Sequence, residues 1–152
     1  MNDIECFIEL VSDKEKKAIA WTIAAEGCIT ISNASGGNIR PLVEVSNTKE
    51  VFISKFHSMV GYAGNVYYYK KSNAYLWILT GIPLVKSFLE YIVDELPIKQ
   101  EQAEIVIAFC ASRMSRNFNN GKQVRGRCCP YSNEELSMRE RIRFLNRRGV
   151  VE

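Results

Sequence analysis

The stretch Ala18-Ile19-Ala20-Trp21-Thr22-Ile23-Ala24-Ala25-Glu26-Gly27 limits most strongly what this chain can become. It follows the charged run Asp13-Lys14-Glu15-Lys16-Lys17 and, read as a helix over about 14–25, is apolar on nearly every face. A helix with no polar side is expected to be buried all round. Four alanines, Ala18, Ala20, Ala24 and Ala25, keep its surface thin, so another backbone can approach closely. Glu26 then stands where the helix dipole places partial negative charge, ahead of a glycine suited to a helix exit. A carboxylate is poorly placed there for stability, and a nearby cation would relieve it.

After Gly27 the period changes from helical to two. Cys28, Thr30 and Ser32 fall on one face of a strand, with Ile29 and Ile31 on the other. The loop Asn33-Ala34-Ser35-Gly36-Gly37-Asn38 leads to a second alternating run, with Val43 and Val45 on one face and Arg40, Glu44 and Ser46 on the other. A helix over 47–60 is expected, with Asn47 and Glu50 at capping-box spacing. A second hairpin follows, from Val66 to Lys71 and from Ala74 to Thr80 around a Ser72-Asn73 turn, with Tyr67, Tyr69 and Lys71 on one face. Pro83 opens the next helix, which Pro97 ends, and another runs from about Lys99 to Arg113. A polar connection, Arg116 to Tyr131, reaches a last helix whose Ser132 and Glu135 have capping-box spacing. The expected architecture is α+β, in the order αββαββα with an added basic C-terminal helix. Its four strands should form one antiparallel sheet covered by helices on one side.

A length of 152 residues suits a single domain, with a core over 1–114 and a basic extension over 115–152. No apolar run reaches transmembrane length and no signal-peptide pattern opens the chain, so an intracellular protein is expected, cytoplasmic in a prokaryote or else organellar, with no membrane partner. Cys6, Cys28, Cys110, Cys128 and Cys129 are odd in number, and His57 is the only histidine; reduced thiols are expected rather than a zinc site. The net charge of +3 conceals an asymmetry. From Arg113 to Arg148 ten Lys/Arg face three acids, a surplus of +7, while the remainder carries −4. One face suited to a polyanion is the implication.

The segment Ile19 to Gly27 resembles the signature of the LAGLIDADG homing endonucleases: an apolar helix, small residues, an acid, a glycine, then a strand. Trp21 departs from the usual glycine and Ala24 from an acid often found there. The order of elements is also similar. Lys99-Gln100-Glu101-Gln102-Ala103 resembles the stretch around the active-site lysine of the single-motif homodimeric members. The segment from Pro130 to Glu135, with Arg143-Phe144-Leu145-Asn146-Arg147-Arg148-Gly149, resembles the C-terminal segment of archaeal and organellar members.

This resemblance implies a site-specific endonuclease that binds a long, nearly palindromic DNA site as a homodimer and cuts both strands with a divalent metal, magnesium. By resemblance Glu26 holds the metal, joined by the backbone carbonyl of Ala25. Lys99 acts as base or charge stabiliser, and Asn47 organises water at the end of the second strand. Close packing of two motif helices would use Ala20, Ala24 and Ala25. An antiparallel ribbon fits the major groove. The candidates for base and phosphate contact are Cys28, Thr30, Ser32, Asn38, Arg40, Glu44, Ser46, Tyr67, Tyr69 and Lys71, with Arg125, Arg127, Arg141 and Arg143 from the basic segment. Two other readings stay open on the same scaffold: a DNA-binding regulator without catalysis, and a maturase that binds intron RNA.

Overall fold

The computed structural model describes residues 11–119, 122–123 and 130–147. The chain runs α1 (Asp13–Glu26), β1 (Gly27–Asn33), β2 (Ile39–Asn47), α2 (Glu50–Met59), β3 (Asn65–Tyr69), β4 (Ala74–Thr80), α3 (Ile82–Ile92), α4 (Gln100–Asn117), a two-residue pair β5 (Phe118–Asn119) and β6 (Lys122–Gln123), and α5 (Asn133–Leu145). The expected α+β class and element order stand. The four main strands form one antiparallel sheet in the order β1-β2-β4-β3, so β1 and β3 are its edges.

Register settles the two faces. Gly27 pairs with Val45, Ile29 with Val43 and Ile31 with Pro41, while Val43 pairs with Leu79 and Val45 with Trp77. These residues turn toward the helices, where Ile29, Val43, Val45, Trp77 and Leu79 join Ile23, Ile53, Phe56, Phe88, Leu89 and Phe109 in one core. The Trp77 ring meets Phe56 edge-on at 4.8 Å, and its indole N–H donates to the Ala63 carbonyl at 2.8 Å. A large ring is thus buried with its one polar group satisfied.

The C-terminal helix belongs to the same core, since Ile142 is fully buried in it. Its N-terminus is capped by Ser132, whose hydroxyl accepts from the Glu135 N–H at 3.1 Å. The Glu135 side chain does not complete the expected capping box. It is fully buried and paired with Arg113 at 3.1 Å and Arg116 at 2.7 Å, with the Ser112 hydroxyl donating at 3.1 Å. Two guanidiniums and a hydroxyl compensate this buried carboxylate and lock α5 to α4. Tyr131 adds a second tie: its hydroxyl donates to the Ile39 carbonyl and accepts from the Ile39 N–H, past the end of β4, while Arg113 lies over its ring at 4.6 Å.

Several local expectations are corrected. Ser12 and Glu15 form a full capping box ahead of α1, a signal hidden inside the charged run. The Asn47–Glu50 box does not form. Asn47 Oδ1 accepts from the Lys49 N–H at 2.8 Å, Lys49 precedes α2 without a side-chain cap, and the Glu50 carboxylate takes the Tyr75 hydroxyl at 3.4 Å. Strand β3 ends at Tyr69, so Lys71 lies in the following turn rather than on a strand face.

Candidate active site

Helix α1 is not buried all round. Ile19, Ala20, Ile23 and Ala24 face the core, whereas Ala18, Trp21 and Ala25 form an exposed stripe, with Trp21 61% exposed. The expectation that Ala20, Ala24 and Ala25 share an exposed packing face is corrected for the first two. At 3.6 residues per turn, Ala20 and Ala24 align with Ile19 and Ile23, and the chain's own core takes them. Only Ala25 remains outside.

The helix ends at Glu26 and the strand begins at Gly27 with no intervening loop. Gly27 is needed for closeness, not for a left-handed cap. Its φ is −101°, but a Cβ there would sit 2.7 Å from the Ile23 carbonyl oxygen and 3.0 Å from that of Glu44. No basic residue stands in the last turn of α1. Lys99, reaching in from the start of α4, supplies the missing cation: its Nζ donates to the Gly27 carbonyl at 2.6 Å and the Ile23 carbonyl at 3.2 Å. This is the stabilisation that the negative end of a helix dipole favours. Lys99 itself has φ +68°, the left-handed region, and its carbonyl accepts the first bond of α4 from Ala103.

A cavity of about 620 Å³ opens at this junction. Ala25, Glu26, Gly27, Cys28, Glu44 and Ser46 line it together with Lys99, Gln102, Leu145, Asn146 and Arg147. Glu26 is exposed into it. Burial lowers the Lys99 pKa from its ordinary 10.5, against the opposing influence of Cys28 and Glu26. Burial raises Glu44 above the ordinary 4.5, and burial followed by the nearby Glu44 charge raises the Cys28 thiol above 9.0. Cys28 is therefore a neutral thiol.

The structure brings Glu26, Ala25 and Lys99 together but leaves Asn47 outside the lining, bonded to Lys49. The Lys99-Gln100-Glu101-Gln102-Ala103 stretch resolves residue by residue: Gln100 bonds the Val93 carbonyl, Glu101 pairs with Arg141, Gln102 lines the cavity and Ala103 enters the core. Asn146 and Arg147 were not singled out for the site. Their presence depends on α5 running along the free edge of β1, where Asn146 Nδ2 donates to the Ile29 carbonyl at 3.0 Å.

The opposite sheet face is continuous with this cavity through Cys28, Glu44 and Ser46. Cys28 pairs with Glu44, Ser32 with Arg40, and Glu44 with Ile78, while Tyr67 pairs with Leu76 and Tyr69 with Ala74. Thus Cys28, Thr30, Ser32, Arg40, Glu44, Ser46, Tyr67 and Tyr69 share one face. Alternation also puts Leu42, Leu76 and Ile78 there, giving the polar face an apolar centre that was not expected. Leu42 is almost fully buried between Thr30 and Thr80. The Ser32 hydroxyl has no hydrogen-bond partner among the described residues. Asn38 stands exposed before β2, its amide bonded to the Ser35 carbonyl. Arg141 pairs with Glu101 at 2.8 Å and Arg143 with Glu140 at 3.3 Å. Arg125 and Arg127 lie outside the described residues, as do Cys6, Cys128 and Cys129. Cys28 and Cys110 are free thiols.

The donors fit a hard divalent cation only in part. The Glu26 carboxylate and the Ala25 carbonyl would offer two oxygen donors, and no group of three His, Cys, Asp or Glu among the described residues could hold a metal alone. One carboxylate with water and phosphate oxygens is the usual magnesium arrangement. Among the described residues no helix is long and apolar enough to cross a membrane.

No protein-family profile and no curated protein sequence matches the chain. Solved structures do. The homing endonuclease I-CvuI in complex with its target superposes with a TM-score of 0.64 at 14% identity, covering 92% of this chain and 90% of that one. The archaeal intron-encoded homing endonuclease I-Vdi141I, complexed with DNA, gives 0.55 at 14% identity over 87% and 98%. The LAGLIDADG homing endonuclease I-LtrWI, bound to target DNA, gives 0.63 at 16% identity over 93% of this chain but 47% of that longer one. The five helices and the four-stranded antiparallel sheet of the described residues therefore have the fold of the LAGLIDADG homing endonucleases.

Proposed function

We propose that the chain is a site-specific DNA endonuclease that works as a homodimer and depends on a divalent metal. One observation carries the reading: Glu26, at the end of α1, is exposed into a cavity shared with Lys99 and continuous with the polar face of the sheet. One chain offers one such acid, and cutting two strands requires two. Two chains meeting along the exposed stripe Ala18-Trp21-Ala25 would bring a second Glu26 beside the first under two-fold symmetry. The structures it resembles are DNA complexes, which supports duplex DNA as the partner.

Glu26 and the Ala25 carbonyl would hold magnesium, which when bound supplies an activated water and charge neutralisation at phosphorus. The chain's residues do the rest. Lys99 holds the end of α1 against the start of β1 and so fixes the Glu26 backbone. Strands β1, β2 and β3 present Thr30, Ser32, Arg40, Ser46, Tyr67 and Tyr69 to the bases, where donor and acceptor patterns distinguish the pairs.

A second reading, a DNA-binding regulator without catalysis, is favoured by one arrangement: the Lys99 ammonium is turned to two backbone carbonyls and Asn47 to Lys49. Incubation with a randomised duplex library, with and without magnesium, followed by sequencing of cut ends, separates the two. Cutting at a long two-fold-symmetric site, lost in Glu26→Gln while binding persists, supports the endonuclease. Enrichment of bound duplex without cutting supports the regulator, and cutting by Glu26→Gln would sink the role assigned to Glu26.

A further inference from the structure

We propose that Arg147 grips a backbone phosphate of the bound duplex beside Glu26, making the exit of the C-terminal helix part of the nucleic-acid site. The inference rests on the DNA reading above and adds a residue from a segment otherwise remote in sequence.

The first argument is placement. Arg147 lines the same cavity as Glu26 and Lys99 although more than a hundred positions separate it from Glu26. Its anchor is rigid. Ile142 is fully buried, Asn146 N–H donates to the Ile142 carbonyl at 3.0 Å, and Arg147 N–H donates to the Phe144 carbonyl at 3.1 Å. Asn146 Nδ2 on the Ile29 carbonyl fastens this turn to the edge of β1. The backbone is thus fixed while the Arg147 side chain is exposed.

Charge supplies the second argument. The lining contains two carboxylates, Glu26 and Glu44, and a phosphate entering there needs a cation facing it. Lys99 is engaged by two carbonyls. Elsewhere in the C-terminal segment Arg113 and Arg116 pair with Glu135, Arg141 with Glu101 and Arg143 with Glu140. Arg147 alone among these arginines lines the cavity, and its side chain makes no ion pair or hydrogen bond with a described residue. A guanidinium is also the group whose planar fork matches two phosphate oxygens.

The test measures duplex affinity against salt for the wild type, Arg147→Ala, Arg147→Lys and a control, Lys55→Ala, exposed on α2. Each lost phosphate contact should reduce the slope of log affinity against log salt by about one per subunit. Arg147→Ala should show that reduction, while Arg147→Lys and Lys55→Ala keep the wild-type slope. An unchanged slope in Arg147→Ala, with the wild type binding normally, overturns this inference and leaves the endonuclease reading intact. A wild-type chain that binds no duplex overturns both.

Discussion

The ammonium of Lys99 lies 2.6 Å from the carbonyl oxygen of Gly27, which ties the start of α4 to the joint between α1 and β1. The same nitrogen reaches the Ile23 carbonyl, so one side chain satisfies two carbonyls at the negative end of the motif helix. Lys99 thereby shapes the site before any substrate arrives. Lys99→Met should lower unfolding free energy by about 1–2 kcal/mol, less than two charged hydrogen bonds would suggest because a half-buried charge is removed with them. Urea denaturation measures this. Stability equal to wild type would mean that the two bonds contribute nothing net.

The same joint makes Gly27 intolerant of a side chain. Gly27→Ala places a Cβ against the Ile23 and Glu44 backbones and should destabilise by about 1–3 kcal/mol. Thermal unfolding would detect it, and an unshifted midpoint would show that helix and strand can separate freely.

Trp21 exposes 61% of its surface on the stripe of α1 that the core leaves uncovered. If two chains meet along that stripe, Trp21→Ala should weaken self-association by about 2 kcal/mol or more, as for a central aromatic anchor. Sedimentation across a concentration series gives the constant directly. No change would place any dimer contact elsewhere.

Glu135 is the most enclosed charge among the described residues. Glu135→Ala leaves Arg113 buried without its carboxylate and should lower stability by about 3–5 kcal/mol, the scale for breaking a buried pair from one side. Chemical denaturation tests it, and a loss below 1 kcal/mol would show that the remaining ties, Ile142, Tyr131, Asn146 and Arg141, hold α5 without the buried pair.

Burial raises the Glu44 pKa above its ordinary value of 4.5. The native state therefore holds this proton after the unfolded chain has released it, and stability falls as pH rises from the ordinary value through the raised one. Glu44→Gln has no such loss. Its melting temperature should match the wild type's at acidic pH and exceed it at neutral pH. A constant difference across that window would contradict the assignment.

Much of the architecture was legible because it depends on local period. The change from helical spacing before Gly27 to alternation after it marks the α1–β1 joint, and Val43 and Val45 against Arg40 and Ser46 mark two faces. Alternation already puts Leu42 between Arg40 and Glu44 on the polar face, whereas Ile78 joins that face only through its cross-strand pairing with Glu44, which no local pattern gives.

The sequence by itself determined the element order, the acid and glycine at the end of the first helix, and the basic C-terminal segment. These follow from side-chain type and spacing along a few turns or one strand. Tertiary structure alone decided that Ala20 and Ala24 turn inward while Trp21 stays outside, that Lys99 faces two carbonyls, and that Arg147 joins Glu26 in one cavity. A helix does not record which of its faces a neighbour will cover, and no local pattern encodes contact between residues brought together only when α5 packs along β1.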